Sequence, residues 1–238
     1  MKLTDQYRPT SIDDIVGQHE ATDVLSAYLA DPYPECWLLE AGPGVGKTAT
    51  MLCMIQALAG DDRWPGYQVS NAAELGIDDA KSIMKWLSCT MCCPDRPHHH
   101  VWGIEEFEVL SPQLRVYLKT AFDPCCLPDH AVVIATANDP QALGAPLLQR
   151  FKRLQFTSDE TFRDGYNGNI RRIWHEHMNG QNMPIAWEEW GYDQGSESYS
   201  MRLALDKLQM YLLRHAHNSK TPAQRRQEAD AHVERIGL

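Results

Sequence analysis

Apolar residues fall along this chain first in short unbroken runs and later at helical spacing. The run from Cys36 to Ala41 (CWLLEA) is bounded by Pro34 and Gly42, and further runs occupy His100 to Ile104 (HVWGI) and Ala131 to Ala137 (AVVIATA). A strand covered on both faces gives such a run rather than an alternation. Between the runs the spacing is helical, with an amphipathic helix predicted at about residues 20–30 and another in TATMLCMIQALAG. Strands alternating with helices predict an α/β fold, a parallel sheet sandwiched by helices. Residues 1–20 read as an extended lead-in and a turn, punctuated by Pro9 and ended by Gly17. After Phe156 the pattern changes: residues 158–217 show helical periodicity, with no strand expected. This predicts a core over 1–157, a small helical second domain over 158–217 and a polar tail over 218–238.

Charge narrows the function. The 238 residues carry 22 Lys and Arg against 32 Asp and Glu, a net charge of −10. Binding nucleic acid by bulk charge needs the opposite balance, although a local basic strip remains open. No apolar run approaches the ~20 residues of a membrane span, and MKLTDQYRPTS lacks the apolar centre of a signal peptide. Seven cysteines, odd in number and clustered, do not read as a disulfide framework. The expectation is a cytoplasmic protein without a membrane partner.

The strongest chemical signal is Ala41-Gly42-Pro43-Gly44-Val45-Gly46-Lys47-Thr48, followed by Ala49. Glycines let a backbone curl around oxygens and aim several N–H groups at them, and the next helix adds its positive end. In such a loop Lys47 reaches the β/γ-phosphates and the Thr48 hydroxyl ligates Mg²⁺, so ATP and Mg²⁺ are the expected ligands. The strict motif has Gly where this chain has Ala41. The companion element is a strand ending in acids, supplied by VWGIEE at Glu105 and Glu106. Glu105 stands where Asp is usual, one methylene longer, and would serve Mg²⁺. Glu106 is the candidate for orienting and deprotonating the attacking water.

Several motifs in this order resemble the AAA+ ATPases: YRPTSIDDIVGQ, the phosphate loop, EE followed by LSPQ, ATAND and PLLQRF. More narrowly, YQVSNAAELGIDDAK (Tyr67 to Lys81) resembles the stretch following the second core strand of sliding-clamp-loader small subunits, the replication factor C type. The resemblance covers about residues 5–215. It implies that Tyr7, Arg8, Pro9, Val16 and Gly17 pack on adenine, and that Asn138 is the polar sensor near the γ-phosphate. It also implies that Arg150 is a finger reaching a neighbouring subunit's site, and that Arg202 is the sensor arginine of a helical lid. Lys81, with Lys85 on the same helix face, matches a position that tracks DNA phosphates; a solvated lysine pair is the alternative.

Cys89, Cys92, Cys93, His98, His99 and His100 have a composition able to hold zinc, although His100 can equally open the following strand and buried Cys is common. Cys125 and Cys126 lack obvious ligand partners. Only 21 residues (238 − 217) follow the last expected lid helix, so no collar domain is expected. The resemblance implies an oligomer with other AAA+ subunits, acting on a sliding clamp and primer–template DNA. The alternatives are a Holliday-junction branch-migration motor, opposed by NAAELGID, and a weakly hydrolysing ATP-dependent adaptor in replication or transposition.

Overall fold

A computed structural model describes residues 1–59, 66–89, 99–178 and 181–219. The lead-in holds a short helix α1 (Leu3–Gln6) and a 3-10 turn at Ile12–Asp14, then α2 (His19–Ala30) leads to β1 (Glu35–Glu40). Next come α3 (Lys47–Ala59), β2 (Tyr67–Asn71), α4 (Ile77–Leu87), β3 (His100–Glu105), α5 (Pro112–Ala121) and β4 (Ala131–Ala137). A short helix α6 (Ala145–Leu148) and β5 (Lys152–Gln155) complete the sheet. Beyond it lie α7 (Glu160–Met178), β6 (Tyr192–Asp193), β7 (Ser198–Tyr199) and α8 (Met201–Ser219).

The five main strands pair in the order β2-β3-β4-β1-β5, all parallel. Successive side chains of a strand leave opposite faces, and the buried runs divide accordingly. Trp37, Leu39, Val101, Val132 and Ile134 join α2 and α3 on one face. Cys36, Leu38, Trp102, Ile104, Val133 and Ala135 join α4 and α5 on the other. This two-sided burial is why the strands read as continuous apolar runs.

Three features depart from the sequence expectation. The edge strand β5 is KRLQ, mostly exposed, and no apolar run announces it. It is held by its parallel pairing with β1 and by Arg153, whose Nε and Nη2 both donate to the buried Glu40 carboxylate. Within the stretch expected to be wholly helical, β6 and β7 form an antiparallel hairpin. Two residues per strand are too few for an alternation to show. The strand nearest the quoted clamp-loader stretch also lies inside it, at Tyr67–Asn71, rather than before it.

The helices after the sheet pack against the lead-in. Phe162, Tyr166, Ile170, Ile173 and Trp174 of α7 and Leu205 and Leu208 of α8 belong to the same apolar cluster as Leu3, Ile12 and Leu25. The Leu3 backbone N–H donates to Gln209 Oε1 on α8 at 3.1 Å. Gly17 sits at φ +71°, and a Cβ there would lie 2.8 Å from Phe162. Only glycine allows that approach. None of the described helices is long and apolar enough to cross a membrane. Nearly all of the expected tail, residues 220–238, lies outside the described residues.

Candidate functional site

The carboxyl ends of β1, β3 and β4 open together into a cavity of about 870 Å³. Parallel strands place the following loops on one side of the sheet, which is where such folds bind ligands. The cavity is lined by Tyr7, Arg8, Pro9 and Val16 from the lead-in and by residues Pro43 to Ala49 of the phosphate loop. Glu105 at the end of β3, Glu106 just after it, Asn138 after β4 and Arg202 of α8 also line it. These positions, from five separate stretches of chain, are brought together. Gly17 and Gly42 are not among the lining residues: Gly42 contributes a carbonyl to Lys47, and Gly17 packs on α7.

The loop from Gly42 to Thr48 has the shape its glycines permit, with Gly44 at φ +79° and Gly46 at φ +105°. A Cβ on Gly44 would stand 2.0 Å from Ser200 Oγ. The Met201 N–H donates to the Gly44 carbonyl at 3.0 Å. The phosphate loop is thereby joined to the start of α8 one residue before Arg202.

Lys47 is buried, 8% exposed. Its ammonium donates to the carbonyls of Ala41 (2.7 Å) and Gly42 (2.6 Å) and to Asn138 Oδ1 (2.9 Å). Burial holds its pKa down at about 8, the Glu108 charge opposing that shift and the Arg202 charge adding to it. Glu106 adopts a left-handed conformation, φ 53° and ψ 45°, costing about 1–2 kcal/mol for a side-chain-bearing residue. Its Oε2 accepts from Asn71 Nδ2 at the end of β2, 3.4 Å away.

On the opposite wall the Tyr7 hydroxyl donates to Glu176 Oε2 at 2.6 Å, and the Arg172 guanidinium lies 5.7 Å from the ring centroid. Burial and the Glu176 carboxylate push the Tyr7 hydroxyl up to about 12, so it stays a neutral donor. Arg172 and Asn169 of α7 also line the cavity. Neither had a sequence signal beyond lying one helical turn apart. Asn71 and Glu108 are further polar groups that sequence reasoning did not single out, although Glu108 follows the acidic pair by two residues.

Three predicted residues lie elsewhere. Arg150 is outside the cavity, with Nη2 2.9 Å from Asp123 Oδ2 and Nε donating to the Lys119 carbonyl. Lys81 and Lys85 are exposed on α4, Lys81 pairing with Asp78 at 3.2 Å. Of the zinc candidates, Cys92, Cys93 and His98 lie outside the described residues. His100 is a buried strand residue stacked on Trp86, ring centroids 4.6 Å apart. Among the described residues no group of three metal-binding side chains assembles, so zinc gains no support.

The loop fits the phosphates expected of it: positive-φ glycines, a buried lysine and the Thr48 side chain border one cavity. No protein-family profile matches the chain. The replication factor C small subunit of Methanococcus vannielii is 24% identical over 158 residues, which is 66% of this chain and 49% of that protein. The subunit of the same name from Saccharolobus solfataricus is 33% identical over 94 residues, 39% of this chain and 28% of its own length. The chain thus spans about half or less of the length of these curated relatives. In structure it resembles the RuvB Holliday junction branch migration motor of Thermotoga maritima, with a TM-score of 0.61 and 20% identity. That match covers 85% of this chain and 64% of the motor, and at such identity it is a likeness of fold. The chain is thus similar in sequence to replication factor C small subunits, and its parallel sheet shares the fold of the RuvB motor.

Proposed function

We propose that the chain is an ATP-binding and hydrolysing subunit that couples turnover to sliding-clamp and primer–template DNA binding in replication. The observation that carries the reading is the single cavity into which phosphate loop, acidic strand end, Asn138 and Arg202 all open. In this reading Tyr7, Arg8, Pro9, Val16 and Gly17 hold the adenine side, and the loop from Gly42 to Ala49 holds the phosphates. Thr48 and Glu105 would hold Mg²⁺, which when bound neutralises phosphate charge. Glu106 accepts the proton of the attacking water, which Asn138 orients. Residues 158–217 act as a lid, and Arg202 carries its response to nucleotide into the site. Lys81 and Lys85 meet DNA phosphates, and several subunits in line accumulate such contacts.

Arg150 acts on the neighbouring subunit's ATP. The ion pair with Asp123 is compatible with this role because it holds the guanidinium in one place outside its own subunit's cavity. A finger supplied in trans is worth roughly 10³–10⁵ in rate in phosphoryl transfer generally.

The test is ATP turnover measured alone, with primed DNA and clamp, and with four-way junction DNA. Stimulation by primed DNA and clamp is expected. Arg150→Ala should bind ATP yet lose hydrolysis, and mixing it with Lys47→Ala should restore activity by pairing an intact site with an intact finger. Stimulation by junction DNA alone would favour the branch-migration reading. ATP binding without turnover under any of these conditions would favour the adaptor.

A further inference from the structure

Beside the predicted acids lies a third, on the 3-10 turn Phe107–Val109, that makes the closest contacts of the group. Glu108 Oε1 accepts from the backbone N–H of Asn138 at 3.0 Å and from its Nδ2 at 2.8 Å. The same Asn138 side chain offers Oδ1 to Lys47 Nζ at 2.9 Å. A carboxylate only accepts and an ammonium only donates. With one on each side, the Asn138 amide has a single orientation: nitrogen toward Glu108, oxygen toward Lys47. Glu108 is itself held. Its carbonyl accepts from Arg115 Nη2 at 3.0 Å, and Arg115 also donates to the carbonyls of Leu110 and Ala142. Phe107 beside it is fully buried. Glu108 Oε2 is buried with no hydrogen-bond partner among the described residues. Leaving a carboxylate oxygen in that condition is costly, and the nearby Lys47 charge offsets it.

We propose that Glu108 is the positioning residue of this phosphate site, fixing the Asn138 amide so that its oxygen faces Lys47 and one Nδ2 hydrogen is left for a group in the cavity. Nδ2 carries two hydrogens and Glu108 takes one. Without Glu108 the amide keeps only its Lys47 contact, so Nδ2 loses the acceptor that fixes its direction and the amide is held at one end alone. The role concerns the alignment of Asn138, so it bears on turnover more than on affinity. It rests on the reading of the cavity as an ATP site.

The test uses the full chain and two readouts, one of them independent of ATP. The Asn138 side-chain amide is followed by ¹⁵N NMR without nucleotide, and ATP affinity and kcat are measured in parallel. The set comprises the parental protein, Glu108→Ala, Glu108→Gln, Asn138→Ala and the Glu108→Ala/Asn138→Ala double variant. Glu108→Ala should move the Asn138 amide resonance and lower kcat about tenfold or more, the loss of one charged hydrogen bond, with affinity changed less than about threefold. The double variant should be no slower than Asn138→Ala, because residues acting as a unit are not additive. Glu108→Gln keeps an acceptor oxygen and should recover part of kcat; it also carries the test if Glu108→Ala does not fold. An Asn138 resonance unmoved by Glu108→Ala, or losses that multiply in the double variant, would overturn the proposal. A parental protein that neither binds nor hydrolyses ATP would overturn the ATP reading instead, and the amide resonance would still decide whether Glu108 orients Asn138.

Discussion

The two walls of the cavity are built by different physics. The sheet wall, from the phosphate loop to Asn138, hangs on strand ends whose positions follow from a register buried on both faces. Its groups are short-range and pre-aligned: Lys47, Asn138 and Glu108 form one hydrogen-bonded chain. The helical wall, Tyr7 with α7 and the start of α8, is held by contacts between distant stretches. Examples are Tyr7 to Glu176 and Gly44 to Met201. A slip of a buried strand would disrupt a whole ladder and move every side chain to the opposite packed face, undoing the fit on both. The helical wall also shares the buried apolar cluster of α7, α8 and the lead-in. The sheet wall is therefore fixed by strand register, and the helical wall by packing and hydrogen bonds between stretches far apart in sequence.

Removing the charge of the sheet wall should give the largest effect. Lys47→Ala should weaken ATP binding about 10²-fold or more, since several charged hydrogen bonds go at once. Direct binding measurements check this, and unchanged affinity would mean that the sheet wall does not hold phosphate.

The seam between the walls comes next. In Gly44→Ala the residue must keep φ near +79° and its new Cβ meets Ser200 Oγ. Stability in urea should fall by about 1–3 kcal/mol. Adding Ser200→Gly removes the clash but not the backbone strain, so partial recovery is expected. Full recovery would show that the lid contact alone sets the cost, and no initial loss that the seam is loose.

The smallest effect is a pH profile. The ammonium form of Lys47 attracts phosphate, and bound phosphates raise its pKa above the free value of about 8. ATP affinity should therefore be level below about pH 8 and decline above it, by at most about tenfold per pH unit. Lys47→Arg stays charged throughout that range, so its profile should be flat. A decline of equal slope in both would place the titration elsewhere.

The sheet was legible in the sequence because burial on both faces leaves continuous runs such as AVVIATA, and a phosphate loop needs glycines at fixed spacing. The edge strand β5 was not, because Lys152, Arg153 and Gln155 face solvent or a salt bridge and leave no apolar signature. The β6–β7 hairpin was too short to show an alternation. Asn71 and Glu108 escaped because a polar residue at a strand end or in a turn looks the same in sequence whether it meets water or a neighbour.

By itself, the sequence determined the elements whose signals are local: the buried strands, the phosphate loop between β1 and α3, and the acidic pair ending β3. Only the tertiary structure decided which groups meet. It turned Glu106 toward Asn71, set Glu108 against Asn138, joined Gly44 to the start of α8 and left Arg150 outside the cavity beside Asp123. Those outcomes depend on contacts between residues up to 157 positions apart (201 − 44). Side-chain periodicity reports only how each stretch meets solvent or core, so such pairings leave no trace in it.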